Sequence, residues 1–191
     1  MEREIGMLDG VVRAKRPEHL PTVLTAAEVD AVLKHLPGVY WLIGSLLYGA
    51  GLRLMEGLRL RVKDLDFNHR SVMVRDGKGG KDRITILPQR LAPFLHEHLK
   101  SVKLLHERDL AEGFGEVYLP YALARKYPRA PREWAWQFVF PAEKRSVDPR
   151  TGAVRRHHCY SKTFQSTIRK AVRLAGIHKP CLLYTSPSPR D

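Results

Sequence analysis

Residues 46–67 read LLYGAGLRLMEGLRLRVKDLDF, and residues 74–88 read VRDGKGGKDRITILP. The first stretch completes an almost wholly apolar run that starts at residue 39 and is punctuated by Gly44, Gly49 and Gly51. Such a run predicts a buried helix with close backbone approaches. After the Gly49-Ala50-Gly51 break, a short helix is expected over residues 52–60. The period then changes. Val72 and Val74 alternate with Ser71, Met73 and Arg75, while Ile84 and Ile86 alternate with Arg83, Thr85 and Leu87. Two short strands flank the polar tip Asp76-Gly77-Lys78-Gly79-Gly80-Lys81-Asp82, which predicts a β-hairpin.

Upstream, Thr25-Ala26-Ala27-Glu28 is a capping box, and Val29, Val32, Leu33 and Leu36 follow at helical spacing until Pro37-Gly38. Downstream of Pro88, a long amphipathic helix is expected to bury Leu91, Phe94, Leu95, Leu99, Val102 and Leu105. Residues 109–155 are irregular, rich in aromatic, Pro and Arg residues. A last helix, at about residues 162–175, is expected to bury Phe164, Ile168, Ala171 and Ala175, with Lys162, Arg169 and Arg173 on the opposite face. The fold class is therefore α+β, mainly helical with a small antiparallel sheet. Residues 1–23, with Pro17 and Pro21 around Arg13-Ala14-Lys15-Arg16, read as a linker.

Charge narrows the function. The 191 residues carry 33 Lys+Arg against 20 Asp+Glu, a formal net charge of +13. In residues 1–23, Arg3, Arg13, Lys15 and Arg16 are cancelled by Glu2, Glu4, Asp9 and Glu18, so the surplus lies in the body of the chain. A basic body suits a polyanion, because each neutralised phosphate releases condensed counterions. Charge alone names nucleic acid as the partner and leaves the chemistry open. No run approaches the roughly 20 apolar residues of a membrane span, and Met1-Glu2-Arg3-Glu4 does not begin a secretory signal. Cys159 and Cys181 form neither a disulfide framework nor a metal motif. A cytoplasmic setting, with no metal and no cofactor, fits these observations.

Two groups of residues carry candidate chemistry. Arg53 follows an apolar helix and a glycine break, an expensive place for a cation that has no partner. Its planar fork matches two phosphate oxygens, and Glu56, three residues on, lies on the same helix face and can orient it. A purely structural Arg53–Glu56 pair is the alternative. Lys78 at the hairpin tip can reach a DNA groove and donate a proton to a leaving 5′-oxygen, or it is a solvated loop lysine. Lys81 and Arg83 make the tip basic in either case.

The strings at 46–67 and 74–88 closely resemble the tyrosine recombinases, the phage-integrase and Xer class: a "GLR..E" box and a "GKG.K.R" hairpin agree in order, spacing and expected structure. That resemblance implies that Arg53 is the first catalytic arginine and Lys78 the hairpin lysine. It implies cleavage of one DNA strand by a tyrosine hydroxyl, giving a 3′-phosphotyrosyl link that conserves bond energy without ATP. It also implies that the full-length protein acts as a homo-tetramer on two DNA sites.

Residues 105–142, LHERDLAEGFGEVYLPYALARKYPRAPREWAWQFVFPA, and 147–158, VDPRTGAVRRHH, resemble the insertion that marks integron integrases, assigned here to 109–158. Those enzymes act on folded single-stranded hairpins with extruded bases, which implies integration and excision of gene cassettes. An extruded base needs a flat partner and edge contacts. Trp134, Trp136, Pro149, Arg155, Arg156, His157 and His158 are suitable types, with Trp136, His157 and His158 the expected base-holding set and Arg155 and Arg156 as DNA contacts. The alternative makes the two tryptophans core residues and the histidines a surface turn. His157-His158-Cys159 is not expected to bind zinc.

The family also requires a His-x-x-Arg box, a further His or Trp, and the nucleophilic tyrosine. No His-x-x-Arg follows Lys162, and Tyr184 stands in a Pro/Ser-rich stretch. Residues 24–180 are thus expected to be a partial catalytic domain, inactive alone. Residues 1–23 are expected to be the linker from a missing N-terminal core-binding domain. Residues 181–191 correspond to one reading frame of a sequence resembling a transposon mosaic end joined to a library adapter, so a non-native tail is expected there. A non-catalytic DNA-binding or regulatory module is the rival reading.

Overall fold

The structure, a computed structural model, describes residues 23–77, 79–149 and 151–179. Helix α1 (Ala26–Lys34) starts where the capping box predicts. The Glu28 N–H donates to Thr25 Oγ1 at 3.2 Å, and the Thr25 N–H donates to the Glu28 carboxylate at 2.8 Å. Helix α2 (Gly38–Ala50) buries Leu42, Ile43, Leu46 and Leu47. It stops at Gly51, whose φ of 61° is left-handed, and the Leu52 N–H reaches back to the Leu47 carbonyl at 2.9 Å. Only a residue without a Cβ adopts that turn at no steric cost. The expected close approaches are present: Gly44 lies against Leu33 and Leu36, and Gly49 against the Pro88 ring.

Helix α3 (Leu54–Leu58) follows directly, shorter than residues 52–60 and with Arg53 at its N-cap. Strands β1 (Leu65–Asp66), β2 (Ser71–Val74) and β3 (Arg83–Ile86) form an antiparallel sheet in the order β1-β2-β3. Val74 pairs with Arg83 and Ser71 with Ile86. Val72 and Val74 enter the core, but Ile84 and Ile86 are 67% and 72% exposed. The inward positions of β3 hold Thr85 and Arg83 instead. The Thr85 hydroxyl donates to the Ala50 carbonyl at 2.8 Å, and Arg83 faces α3. Polar anchoring to the ends of α2 and α3 has decided which face of β3 points inward.

Helix α4 (Ala92–Ala111) buries Leu95, Leu99 and Val102, and the same stripe continues through His106 and Asp109. Phe94, expected on that stripe, is instead half-exposed and meets the Trp41 ring edge-on at 4.9 Å. The region expected to be irregular contains α5 (Tyr121–Lys126), two single-turn segments and a small hairpin of β4 (Ser146–Val147) and β5 (Val154–Arg155). It forms its own cluster of Val117, Leu119, Ala130 and Phe138, against which Trp136 packs. Helix α6 (Ser161–Leu174) returns to the main core, burying Phe164, Ile168, Ala171 and Val172 beside α1 and α3. Lys162, Arg169 and Arg173 are exposed, as the periodicity predicts. Ala175 is only half-buried, just past the helix end.

Phe164 is fully buried in the cluster that joins α6 to the other helices. Phe164→Ala should cost about 3–5 kcal/mol, as truncations of buried aromatic residues do. Urea unfolding measures it, and a loss below about 1 kcal/mol would show that α6 is not seated as described.

Candidate functional site

The local sequence builds the first site. Gly51 ends α2, two residues turn the chain, and α3 begins with Arg53 in extended conformation at φ −70°, ψ 156°. Glu56, in the first turn of α3, accepts the Arg53 backbone N–H at 2.9 Å and its Nη1 at 2.8 Å. From the hairpin, Arg83 adds two parallel bonds to the same carboxylate, Nη1 to Oε1 at 2.9 Å and Nη2 to Oε2 at 2.8 Å. Arg83 Nη2 also donates to the Gly51 carbonyl at 3.2 Å. One carboxylate thus ties the start of α3 to the root of the hairpin tip.

Burial alone would raise the Glu56 pKa. The hydrogen bonds from Arg83 and Arg53 outweigh it and bring the group to about 2. The ion pair with Glu56 holds Arg83 more firmly protonated than usual. Exposure divides the three residues sharply. The Glu56 side chain is 8% exposed, whereas that of Arg53 is 56% exposed. Among the described residues the Arg53 guanidinium makes no hydrogen bond beyond the one to Glu56, so its remaining N–H groups face outward. An anchored, outward guanidinium is suited to a phosphate, whose oxygens match the fork.

Gly77 sits against this cluster. A Cβ there would lie 2.9 Å from the Lys81 carbonyl oxygen, 3.3 Å from Arg83 Nη1 and 3.4 Å from Glu56 Oε1. Glycine is what lets the tip approach the Glu56 pair. Lys78, the next residue, lies outside the described residues. Lys81 is exposed and takes part in no ion pair among the described residues. The same is true of Lys162, Arg169 and Arg173 on α6.

The second group divides. Trp136 and His158 meet around Phe138. The His158 ring is edge-on to Phe138 at 5.5 Å, and Arg61 lies 4.5 Å over the Phe138 ring. Arg61 also donates to the Trp136 and Tyr118 carbonyls at 2.5 and 2.9 Å. His158 donates its Nδ1–H to the Cys159 carbonyl at 2.8 Å. Burial, reinforced by Arg59, His157 and Arg61, lowers its pKa. His157 is half-buried. Trp134 packs against the main core, 6.1 Å from the His106 ring.

Arg155 and Arg156 are not free cations. Arg156 donates to both Asp109 oxygens, at 2.6 and 2.9 Å, and to the Ala142 and Glu143 carbonyls. Arg155 donates to Asp148 at 2.8 Å. Their partners are buried carboxylates on α4 and in the β4–β5 turn, so these arginines hold the irregular region together. Sequence reading also missed Arg61 and Lys63. Both lie inside the quoted 46–67 stretch, yet no local pattern separates a cation that reaches residue 136 from a solvated one.

The Phage integrase family profile matches residues 22–187. The chain belongs to that family, the tyrosine recombinases. It is 48% identical over 182 residues to integrase/recombinase proteins of Escherichia coli and of Pseudomonas aeruginosa, covering 95% of this chain and 54% of theirs. It is 41% identical over 90 residues to tyrosine recombinase XerA of Thermococcus kodakarensis, covering 46% of this chain and 32% of that one. The chain spans about half the length of these two curated relatives. Superposed on the crystal structure of XerA recombinase it gives a TM-score of 0.49 at 24% identity, over 88% of this chain and 47% of that one. Among the described residues no helix is long and apolar enough to cross a membrane, and no cluster of His, Cys, Asp or Glu is placed to hold a metal.

The Glu56 clamp should leave a signature in acid. The folded protein binds this proton more weakly than the unfolded chain, for which the ordinary value is 4.5. Glu56 therefore stabilises the fold above about pH 4.5, and its contribution, at most about 3 kcal/mol, disappears as pH falls toward 2. Chemical denaturation between pH 6 and 2.5 should show a smaller acid loss for Glu56→Gln than for the native chain. Parallel profiles would mean that the clamp is absent in solution.

Proposed function

We propose that this chain is the phosphate-holding part of the catalytic domain of a site-specific DNA recombinase of the integron-integrase type, acting in the bacterial cytoplasm. The observation that carries the reading is the Arg53 guanidinium: anchored underneath by a buried carboxylate, open above, with the hairpin root fastened beside it. A phosphodiester attacked by a tyrosine hydroxyl passes through a pentavalent state with added negative charge. Cations fixed in advance stabilise that state more than the ground state. Arg53 clamps the non-bridging oxygens, and Lys78 protonates the departing 5′-oxygen. The resulting 3′-phosphotyrosyl bond preserves the energy for rejoining, so no cofactor is required.

Glu56 and Arg83 touch no substrate in this scheme. They position Arg53 and bring the hairpin to it. The second group serves recognition: Trp136 offers a ring to an extruded base of a folded single-stranded hairpin, with His157 and His158 supplying edge contacts. Arg155 and Arg156 keep the loops that carry these residues in place. A homo-tetramer on two sites exchanges gene cassettes. Residues 175–191 contain no His-x-x-Arg sequence, so the test supplies that box.

The test is strand cleavage by this domain joined to a His-x-x-Arg box and a tyrosine. Arg53→Ala should lower the cleavage rate by roughly 100- to 1000-fold, the scale for loss of one charge-stabilising donor, while site binding changes by less than about tenfold. Cleavage at the native rate would remove Arg53 from the active site and overturn the reading.

A further inference from the structure

Trp136 does not present an open ring. It packs on one side against the Val117, Leu119, Ala130 and Phe138 cluster. The Lys63 ammonium stands over the indole, 3.0 Å from its centroid. The placement of Lys63 is not accidental. Residues 60–62 run beside 137–139, with the Val62 N–H donating to the Gln137 carbonyl at 3.0 Å and the Val139 N–H to the Leu60 carbonyl at 2.8 Å. Arg61 fixes the backbone of Trp136 through its carbonyl. The next outward side chain along that edge is Lys63.

The ammonium is attracted by one carboxylate, Asp64, but forms no ion pair with it. The adjacent carboxylate, Asp64, is already occupied by the Arg61 N–H at 3.1 Å and by Arg75 Nε at 2.8 Å. Lys63 takes part in no ion pair among the described residues. Burial, and then Arg75, lower its pKa against the opposing attraction of Asp64. A phosphate oxygen competes with the indole face for that ammonium, and a base stacked on the vacated ring supplies the rest of the exchange.

We propose that Lys63 is a specificity-determining residue that covers Trp136 until a nucleotide supplies, together, a phosphate to draw the ammonium aside and an unpaired base to take the vacated ring. The ligand class is an extrahelical nucleotide with its own phosphate. This rests on the reading of Trp136 as a base-stacking residue and adds a condition to it. A duplex supplies phosphates with no base to stack, so the cover stays closed there.

The experiment measures affinity of the chain for two DNA hairpins across a salt series. One carries a single extrahelical thymidine, and the other an abasic tetrahydrofuran residue at the same place. The native chain should prefer the base-bearing hairpin by roughly tenfold or more. Lys63→Met keeps the stem without the charge. It should weaken binding to the base-bearing hairpin and reduce the salt slope by about 1 on that hairpin alone. Lys63→Arg should retain the preference. Equal loss on both hairpins would make Lys63 an ordinary phosphate contact and overturn the coupling. No loss on either would leave it a structural cover, which also overturns it. Absence of any preference in the native chain would instead remove the base-stacking reading of Trp136, and this inference with it.

Discussion

The Glu56 carboxylate is the constraint on which the rest of the candidate site depends. A carboxylate side chain only 8% exposed is tolerated because three charged or polar partners converge on it. These are the Arg53 N–H, the Arg53 guanidinium and the bidentate Arg83 fork. Their sequence separation explains the architecture. Arg53 caps α3 and Glu56 lies in its first turn, but Arg83 comes from the far strand of the hairpin. Satisfying one buried charge therefore requires the hairpin to lie against α3 and Gly77 to have no side chain. Removing either arginine would leave the carboxylate under-compensated in a poorly solvated place. The same interaction leaves Arg53 facing outward, because its Nη1 is engaged from below.

Much of this was legible in the sequence, and the exceptions share a cause. The cap of α1, the glycine-ended α2, the hairpin and the apolar face of α6 follow from local rules that act within a few residues. Arg53 and Glu56 could be paired for the same reason, although Arg53 is the extended N-cap of α3 and not part of its helical face. The facing of β3 was not legible. Alternation shows that Ile84 and Ile86 share a face, but only the distant Glu56 and the Ala50 carbonyl turn Arg83 and Thr85 inward and leave the isoleucines exposed. The stripe of α4 continues through His106 and Asp109 because Arg156, 47 residues beyond Asp109, neutralises the acid. A single sequence does not reveal which arginine finds which carboxylate. The sequence alone thus did not show that Arg155 and Arg156 pair with Asp148 and Asp109.

The irregular region would attach the proposed recognition surface to the proposed phosphate-holding scaffold. It buries its own small cluster and is joined to the scaffold through Arg61, the backbone pairing of residues 60–62 with 137–139, and the Asp109–Arg156 ion pair. Arg61 and Lys63 stand only eight and ten positions after Arg53. A single short segment thus connects the proposed phosphate site to the proposed base site. The proposed phosphate and base sites are distinct surfaces, related through this segment and the Asp109–Arg156 ion pair.

The most direct measurement of the central claim is a crystal structure of the chain bound to a DNA hairpin. The outward nitrogens of Arg53 should lie within about 3 Å of non-bridging oxygens of one phosphate, with Glu56 still held by Arg53 and Arg83. If DNA bound elsewhere and Arg53 contacted no phosphate, the assignment of this guanidinium as the clamp on the scissile bond would be contradicted.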